Sequence, residues 1–370
     1  MSDINDIARE EDPLFGLDPE QRRAIELWAH AQVMGKDAHL KALKRDLRLI
    51  EKEVAARDQH IAAMTYFSEI KRECPAVKSK QKPKHPSGSA TAVFVASDWH
   101  IEESVDPQAV GGQNEYNLDV AWARARQYFQ SVVWLLKAKR HEARIDDVVI
   151  ALLGDFITGL IPMSDPSLLR EVGPVRAARI AQEMLDEGLR YIAKEAGARR
   201  IIVPCVGGNH GRLTPKPTFS RGAQYNLENY MLGELARGFK RDKQFEFVTT
   251  DDFAVTLDIG GLRVRFSHGD NVRYAGGVGG ITIPLKKARH RWNATPGGYA
   301  DLDVLGHFHQ AFDGGDFVVN GSLIGPTGYS RKGGFEYQPP EQIGFLIRPE
   351  SPGAAMGSRG KCDTFKIFVT

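Results

Sequence analysis

Five apolar runs in this chain end the same way, and that shared ending limits what it can fold into. AVFVAS (92–97) opens onto Asp98-Trp99-His100, VVIALL (148–153) onto Gly154-Asp155, and RIIVPCV (200–206) onto Gly207-Gly208-Asn209-His210. RVRFS leads into His268-Gly269-Asp270, and DVL leads into Gly306-His307-Phe308-His309. Short apolar runs bounded by turn residues read as buried strands. Each motif alone is weak: a lone buried histidine is usually a satisfied core residue, and a lone Gly-Asp is usually a turn. Together they are specific, because leaving five strand ends with unpaired ionisable groups is costly. A metal centre resolves the conflict, since it neutralises carboxylates and uses imidazole lone pairs.

Helical patterns lie between the first three runs, at about 119–141 and 170–197. The resulting β-α-β-α-β series predicts a central sheet with covered faces. After residue 245 the pattern turns strand-rich: QFEFVTT, FAVTLDI, LRVRFSH, DLDVLGH, DFVVNGS and QIGFLI. Residues 92–370 therefore read as one α/β (α+β) catalytic domain with more than one sheet. Active-site groups in such folds collect at the carboxyl ends of the strands.

The preceding chain is different. Residues 1–18 are acidic and read as a mobile N-terminus. Residues 19–74 hold one glycine, Gly35, and one proline, Pro19. A heptad runs through Leu40, Leu47, Val54 and Ile61, with Leu43, Ile50, Arg57 and Met64 at the second seam position. Four such heptads read as a coiled coil that would join copies of the chain through residues 33–67, or as an amphipathic helix on its own catalytic domain. Residues 75–91, with four lysines and no acid, read as a flexible basic linker. The cysteines, Cys74, Cys205 and Cys362, are far apart and lack CxxC spacing. They predict neither a disulfide framework nor a thiolate zinc site. No apolar run suits a signal peptide or a membrane span, so a cytoplasmic setting is expected.

The seven candidate ligands are Asp98, His100, Asp155, Asn209, His268, His307 and His309. Oxygen and imidazole donors without thiolate suit Mn, Fe, Zn, Co or Ni, with Mn²⁺ as the first expectation. Two carboxylates, one amide and four imidazoles are too many for one ion and suit two ions sharing a carboxylate. Strand alternation predicts that His307 and His309 share one face.

In the order D-x-H, G-D, G-N-H, H-G and G-H-x-H, over roughly residues 92 to 325, the chain resembles the calcineurin-like metallophosphoesterase superfamily. The resemblance implies a four-layer αββα sandwich with a two-metal site. It implies that Asp98, His100, Asp155 and His309 hold one ion, and that Asp155 (as the bridge), Asn209, His268 and His307 hold the other. VVNGSLIG (318–325) resembles the strand and turn that follow the last motif in many members. The mechanism expected of such a site is in-line attack on phosphorus by a metal-bridging hydroxide. His210 would be the catalytic residue that protonates the leaving group or holds a phosphoryl oxygen. The family usually carries an acid after G-N-H. Gly211 stands there in this chain, which leaves open what orients His210, unless another carboxylate replaces the acid in space. The plan of core plus helical segment is similar to the nuclease subunits of double-strand-break repair complexes, with the helical part before the core instead of after it. The loop GNHGRLTPKP resembles that of bacteriophage or prophage members.

Net charge is only +2, but its distribution is uneven. Residues 196–227 carry Arg199, Arg200, Arg212, Lys216 and Arg221 and no acid; residues 271–300 carry Arg273, Lys286, Lys287, Arg289 and Arg291 and no acid. Arg212, Lys216, Arg273, Lys286, Lys287, Arg289 and Arg291 are therefore candidate contacts to a polyanion, DNA or RNA, with Trp292 or Tyr274 as stacking partners. GGVGG (276–280) and Arg331-Lys332-Gly333-Gly334 read as flexible loops. The function that follows is a metal-dependent phosphodiesterase or nuclease. Its alternatives are a small-molecule or protein phosphatase or phosphodiesterase, and a non-catalytic scaffold of the same fold.

Overall fold

Period-2 burial runs through the strands and sorts their side chains into layers. In β1 (Thr91–Ala96), Ala92, Phe94 and Ala96 face one core while Val93 and Val95 face another. In β3 (Asp147–Leu152), Val148, Ile150 and Leu152 divide from Val149 and Ala151 in the same way. Strands buried on both faces must read as continuous apolar runs, which is why these segments do.

The computed structural model describes residues 22–23, 88–160, 169–217, 222–273, 280–349 and 360–370. The chain divides into two compact units, Met1–Gln81 and Lys82–Thr370. The N-terminus 1–18, the heptad, the self-association segment 33–67 and residues 75–87 of the linker lie outside the described residues, as do Tyr274 and residues 276–279. The sheet takes up the end of the linker: Ser89 bridges Arg144, Ala90 is buried, and β1 begins at Thr91.

The second unit continues with β2 (Glu103–Ser104), α1 (Leu118–Lys139), β3, β4 (Leu169–Arg170), α2 (Pro174–Glu195), β5 (Arg200–Cys205), α3 (Leu227–Gly238), β6 (Phe245–Thr249), β7 (Ala254–Ile259) and β8 (Leu262–Ser267). There follow α4 (Thr282–Ala294), β9 (Leu302–Leu305), β10 (Phe312–Asp313), β11 (Phe317–Val319), α5 (Gly328–Lys332), β12 (Glu341–Ile347) and β13 (Lys361–Phe368). One sheet has the order β13-β12-β1-β3-β5-β6, and a second has the order β10-β11-β9-β8-β7. Buried stripes of α1, α2 and α3 cover the outer face of the first sheet. The two sheets share a core of Val93, Val149, Val264, Phe266, Val304 and Phe345, among others. On the far face of the second sheet, Leu285 of α4 packs with Leu305, Phe317 and Val319. The unit is thus an αββα sandwich, as expected.

Strands β1, β3, β5 and β6 run parallel, and so do β8, β9 and β11. Their carboxyl ends gather in two groups, and every motif singled out in the sequence follows one of them. Local capping sets the helix starts: Asn117 caps α1 and Asn226 caps α3 through their side-chain oxygens. The segment 331–334 departs from the flexible-loop expectation. Thr327 and Ser330 form a capping box that starts α5, and Arg331 donates to the Ala109 carbonyl.

Among the described residues, no helix is long and apolar enough to cross a membrane. Cys205 and Cys362 are free thiols.

Candidate metal centre

Backbone geometry marks the site first. Six non-glycine residues among those described have positive φ, and five are Asp98 (58°), His100 (48°), Asp155 (51°), His307 (70°) and His309 (54°). Such left-handed backbone disfavours side chains carrying a Cβ, and it collects where function demands it.

The side chains converge in two groups. Asp98, His100 and His309 bring one ligand atom each within 4.8 Å of one another, and so do Asp155, His268 and His307. In the first group, His309 Nε2 lies 3.3 Å from Asp98 Oδ1 and 3.3 Å from His100 Nε2. In the second, His268 Nε2 lies 3.0 Å from Asp155 Oδ2 and 3.1 Å from Asn209 Oδ1. All seven candidate ligands therefore come together in these two groups, with Asn209 beside His268 and Asp155 grouped with His268 and His307. The strand-alternation expectation for His307 and His309 is corrected. β9 ends at Leu305, both histidines sit on left-handed backbone beyond it, and each joins a different group.

Close backbone approach explains two of the glycines. A Cβ on Gly154 (φ 79°) would lie 2.1 Å from Gly208 N, and one on Gly208 would lie 2.1 Å from Asp155 Oδ1. The G-D and G-G-N-H turns pack backbone on backbone, which only glycine permits.

Hydrogen bonds from the far ring nitrogens orient the imidazoles. His268 Nδ1 donates to the Leu153 carbonyl at 2.7 Å, leaving the Nε2 lone pair directed into the cage. His100 Nδ1 donates to Thr158 Oγ1 at 3.2 Å, and that hydroxyl donates to Glu103 Oε2 at 3.1 Å. Behind Asp98, Ser97 Oγ donates to Oδ2 at 2.5 Å and itself accepts from Asn320 Nδ2 at 2.8 Å. Gln342 Oε1 accepts from Ser97 N, and the His307 N–H donates to the Asp98 carboxylate at 3.0 Å. Asn320 and Gln342 are thus part of the site's support. Gln342 lies in β12, remote in sequence from every motif, and only the inter-strand pairing of β12 with β1 brings it here.

The charges form two carboxylate–imidazole pairs. Burial works to lower the His268 imidazole, but Asp155 outweighs it and raises His268 well above its ordinary value. His309 is raised in the same way: burial opposes, and the Asp98 hydrogen bond and charge prevail. Burial works to raise Asp155, yet His268 and His210 hold it well below the carboxylate range. His100 is held well below its usual value by burial and then by His210, and burial with His268 holds His307 at about 4. The carboxylates thus favour positive charge at His268 and His309, while burial favours the neutral form of His100 and His307. Two cations fit this donor set, since they would supply that positive charge and use the imidazole lone pairs of both groups.

His210 stands beside the cage. Its ring meets His100 edge-on at 4.8 Å, its N–H donates to Asp155 Oδ1 at 2.9 Å, and its Nδ1 donates to the Thr158 carbonyl at 3.0 Å. Nε2 takes part in neither of these hydrogen bonds. The space beside Gly211 is taken by Glu228 of α3: a Cβ there would lie 2.7 Å from Glu228 Cγ. The Glu228 carboxylate is fully buried and accepts from the N–H groups of Asp155 (2.9 Å), Ile157 (3.0 Å) and Gly208 (2.7 Å). Burial, with the Asp155 charge next, pushes its carboxyl up to about 7 against the Gly208 and Ile157 N–H donors. An acid distant in sequence thus fills the place beside Gly211, and it braces loops where the ring of His210 is oriented by a carbonyl.

The basic stretches are only partly at the site. Arg212 is half-buried, donates to the Asn209 carbonyl, and feels the charges of Asp155 and Asp270. Lys216, Arg273, Lys286, Lys287 and Arg291 are exposed. Arg199 and Arg200 sit at the opposite end of β5, paired with Asp147 and, for Arg200, Glu246. Arg289 departs from the substrate-contact expectation: it is buried, its Nε 2.5 Å from Asp303 and its Nη1 paired with Asp316. Trp292 is likewise engaged, lying under Arg265 (4.8 Å) and beside Phe253.

No family model matches the sequence, and no curated protein matches it. Among solved structures, vacuolar protein sorting 29 from Cryptosporidium parvum aligns over 76% of this chain and 99% of its own, at 11% identity and a TM-score of 0.31. Zn²⁺-complexed wild-type Vps29 from Entamoeba histolytica covers 75% and 99%, at 12% identity and a TM-score of 0.28. A hypothetical protein from Thermus thermophilus covers 74% and 97%, at 10% identity and a TM-score of 0.25. The chemistry of this chain rests on its own residues.

Proposed function

We propose that this chain is a dinuclear-metal-dependent phosphoester hydrolase that cleaves phosphodiester bonds of nucleic-acid strands. The observation that carries the reading is the pair of donor groups at the strand ends, Asp98–His100–His309 and Asp155–His268–His307, five of whose six residues sit on left-handed backbone. Asn209 adds an amide oxygen beside His268. Asp155 belongs to the second group, and its charge also acts on Asp98 and His100 of the first, which makes it the residue suited to serve two ions.

When bound, two divalent ions at these residues supply Lewis-acid activation of water and neutralisation of phosphoryl charge. Donors of this kind suit Mn²⁺, with Fe, Zn, Co or Ni as alternatives. The chain's own part is orientation and proton handling. Thr158 and Leu153 fix the tautomers of His100, His210 and His268. His210 Nε2 delivers a proton to the leaving oxygen, and Arg212 adds positive charge beside Asp155.

Hydrolysis of bis-p-nitrophenyl phosphate, compared with p-nitrophenyl phosphate, tests the reading after EDTA treatment and Mn²⁺ return. Metal-dependent turnover that favours the diester is expected. His210→Ala should keep its metal and lose about 10²–10⁴ in rate. No turnover with any of the five metals would overturn the reading in favour of a binding scaffold.

A further inference from the structure

The cations of α4 are of two kinds. Arg289 points inward and is neutralised by Asp303 and Asp316. Lys287 and Arg291, one helical turn apart, are exposed and have no ion-pair partner among the described residues. They line a cleft of about 500 Å³ together with Asn271 and Arg273. Ile283 and Pro284 give the cleft an apolar wall, and no carboxylate among the described residues lines it.

This cleft adjoins the metal centre through the chain itself. Asn271 is three residues beyond His268, so its Cα lies within roughly 11 Å of that ligand, three Cα steps of about 3.8 Å. The turn closed by Val272 N–H to the Gly269 carbonyl (2.9 Å) shortens the path further. A nucleic-acid strand advances about 3.4 Å per nucleotide along its axis. A strand with its scissile phosphate at the cage therefore reaches the cleft within about three nucleotides.

We infer that this cleft is a backbone-phosphate subsite, in which Arg273, Lys287 and Arg291 hold a neighbouring phosphate of a nucleic-acid strand whose scissile phosphate sits at the Asp98–Asp155 cage. The inference rests on the hydrolase reading for the scissile phosphate alone. Three cations without an acid match a strand's regularly spaced charge, and the Ile283–Pro284 wall suits its sugars and bases. A small phosphoester would be met by the cage and Arg212 and would leave these cations unused. Arg289 makes the arrangement rigid: its buried pairing fixes the rotation of α4, and so presents Lys287 and Arg291 to the cleft before any ligand arrives.

The test uses the full chain and the double variant Lys287→Gln/Arg291→Gln, which removes both charges and keeps polar, though shorter, side chains. Fluorescence anisotropy in EDTA reads binding of a short single-stranded DNA, the same sequence as RNA, and its duplex. Kinetics with Mn²⁺ read the ratio of kcat/KM for the oligonucleotide to that for bis-p-nitrophenyl phosphate. Strand binding should weaken about tenfold, and the salt dependence of log affinity should flatten by about 1.4, or about 0.7 per lost single-strand contact. The kcat/KM ratio should fall about tenfold, and restoring charge with Lys287→Arg should recover part of it. Unaltered strand binding, or an equal loss on both substrates, overturns the subsite. Wild-type protein that binds strands yet hydrolyses neither substrate upholds the subsite and overturns the hydrolase reading. Wild-type protein that hydrolyses the small diester but binds no strand does the reverse.

Discussion

Two clusters of buried carboxylates lie in this domain, and they are satisfied in opposite ways. Asp155, at the end of β3, is 1% exposed and faces imidazoles: His268 at 3.0 Å, with His100 and His210 close enough to act on its charge. Asp303, inside β9, is 0% exposed and faces guanidinium groups: Arg265 at 2.6 Å and Arg289 at 2.5 Å. A guanidinium keeps its charge and offers donors in a fixed fork, so the Asp303 cluster is complete as it stands. Imidazoles change charge within the ordinary pH range, and their lone pairs gain from a cation. The backbone repeats the contrast. Asp155 sits at φ 51°, whereas Asp303 lies in a regular strand. A buried acid paired with arginine on relaxed backbone reads as structure, and one ringed by histidines on strained backbone reads as a binding site.

The largest expected effect is on the first cluster. Asp155→Ala removes the carboxylate whose charge acts on both donor groups, so both ions should be lost and turnover should fall to that of EDTA-treated protein. Metal analysis beside diester hydrolysis checks this, and full metal with full turnover refutes the site. In EDTA the same variant should lose little stability, because the imidazoles left behind can release their protons. Asp303→Ala should invert that pattern. It strands Arg265 as a buried charge that cannot neutralise and leaves Arg289 with Asp316 alone, and should cost about 3–5 kcal/mol. Urea unfolding of metal-free protein measures the difference. Equal losses for the two variants would dissolve the distinction between the clusters.

The two clusters are also unequally legible in the sequence. Each candidate ligand sits where an apolar run meets a turn, usually beside glycine, so one local signal singles out all seven. Asp303 lies within such a run, and nothing local separates it from an exposed acid on a strand. Composition groups Arg289 with Lys287 and Arg291 because it counts charges without regard to helix face. The spacing of four from Leu285 is a usable signal, since both residues lie on the buried side of α4. The edge strand β13 escapes the apolar-run signal for a related reason: KCDTFKIF alternates charge with apolar residues and is half exposed. The histidines after β9 mislead in another way. Alternation applies while a strand lasts, and the strand ends at Leu305, two residues before His307.

Glu228 tests the comparison from a third direction, because it is a buried carboxylate with neither imidazole nor guanidinium as partner. Its oxygens accept from three backbone N–H groups, two of them on the turns that carry Asp155 and Asn209. Glu228→Gln replaces one acceptor oxygen with an amide that can only donate, so at least one of those N–H groups faces a donor. Leaving a buried N–H unsatisfied costs about 1–3 kcal/mol. The two turns meet backbone on backbone at Gly154 and Gly208, so a shift in one displaces the other. Metal affinity should therefore fall by about 10–100-fold, as expected when support behind a ligand is removed. Titration of metal-free protein with Mn²⁺, followed by activity at saturating metal, separates the two effects. Recovery of most turnover once metal saturates is the expected result, because Glu228 touches the loops and not the ring of His210. Unchanged affinity would mean that the turns hold their geometry without it.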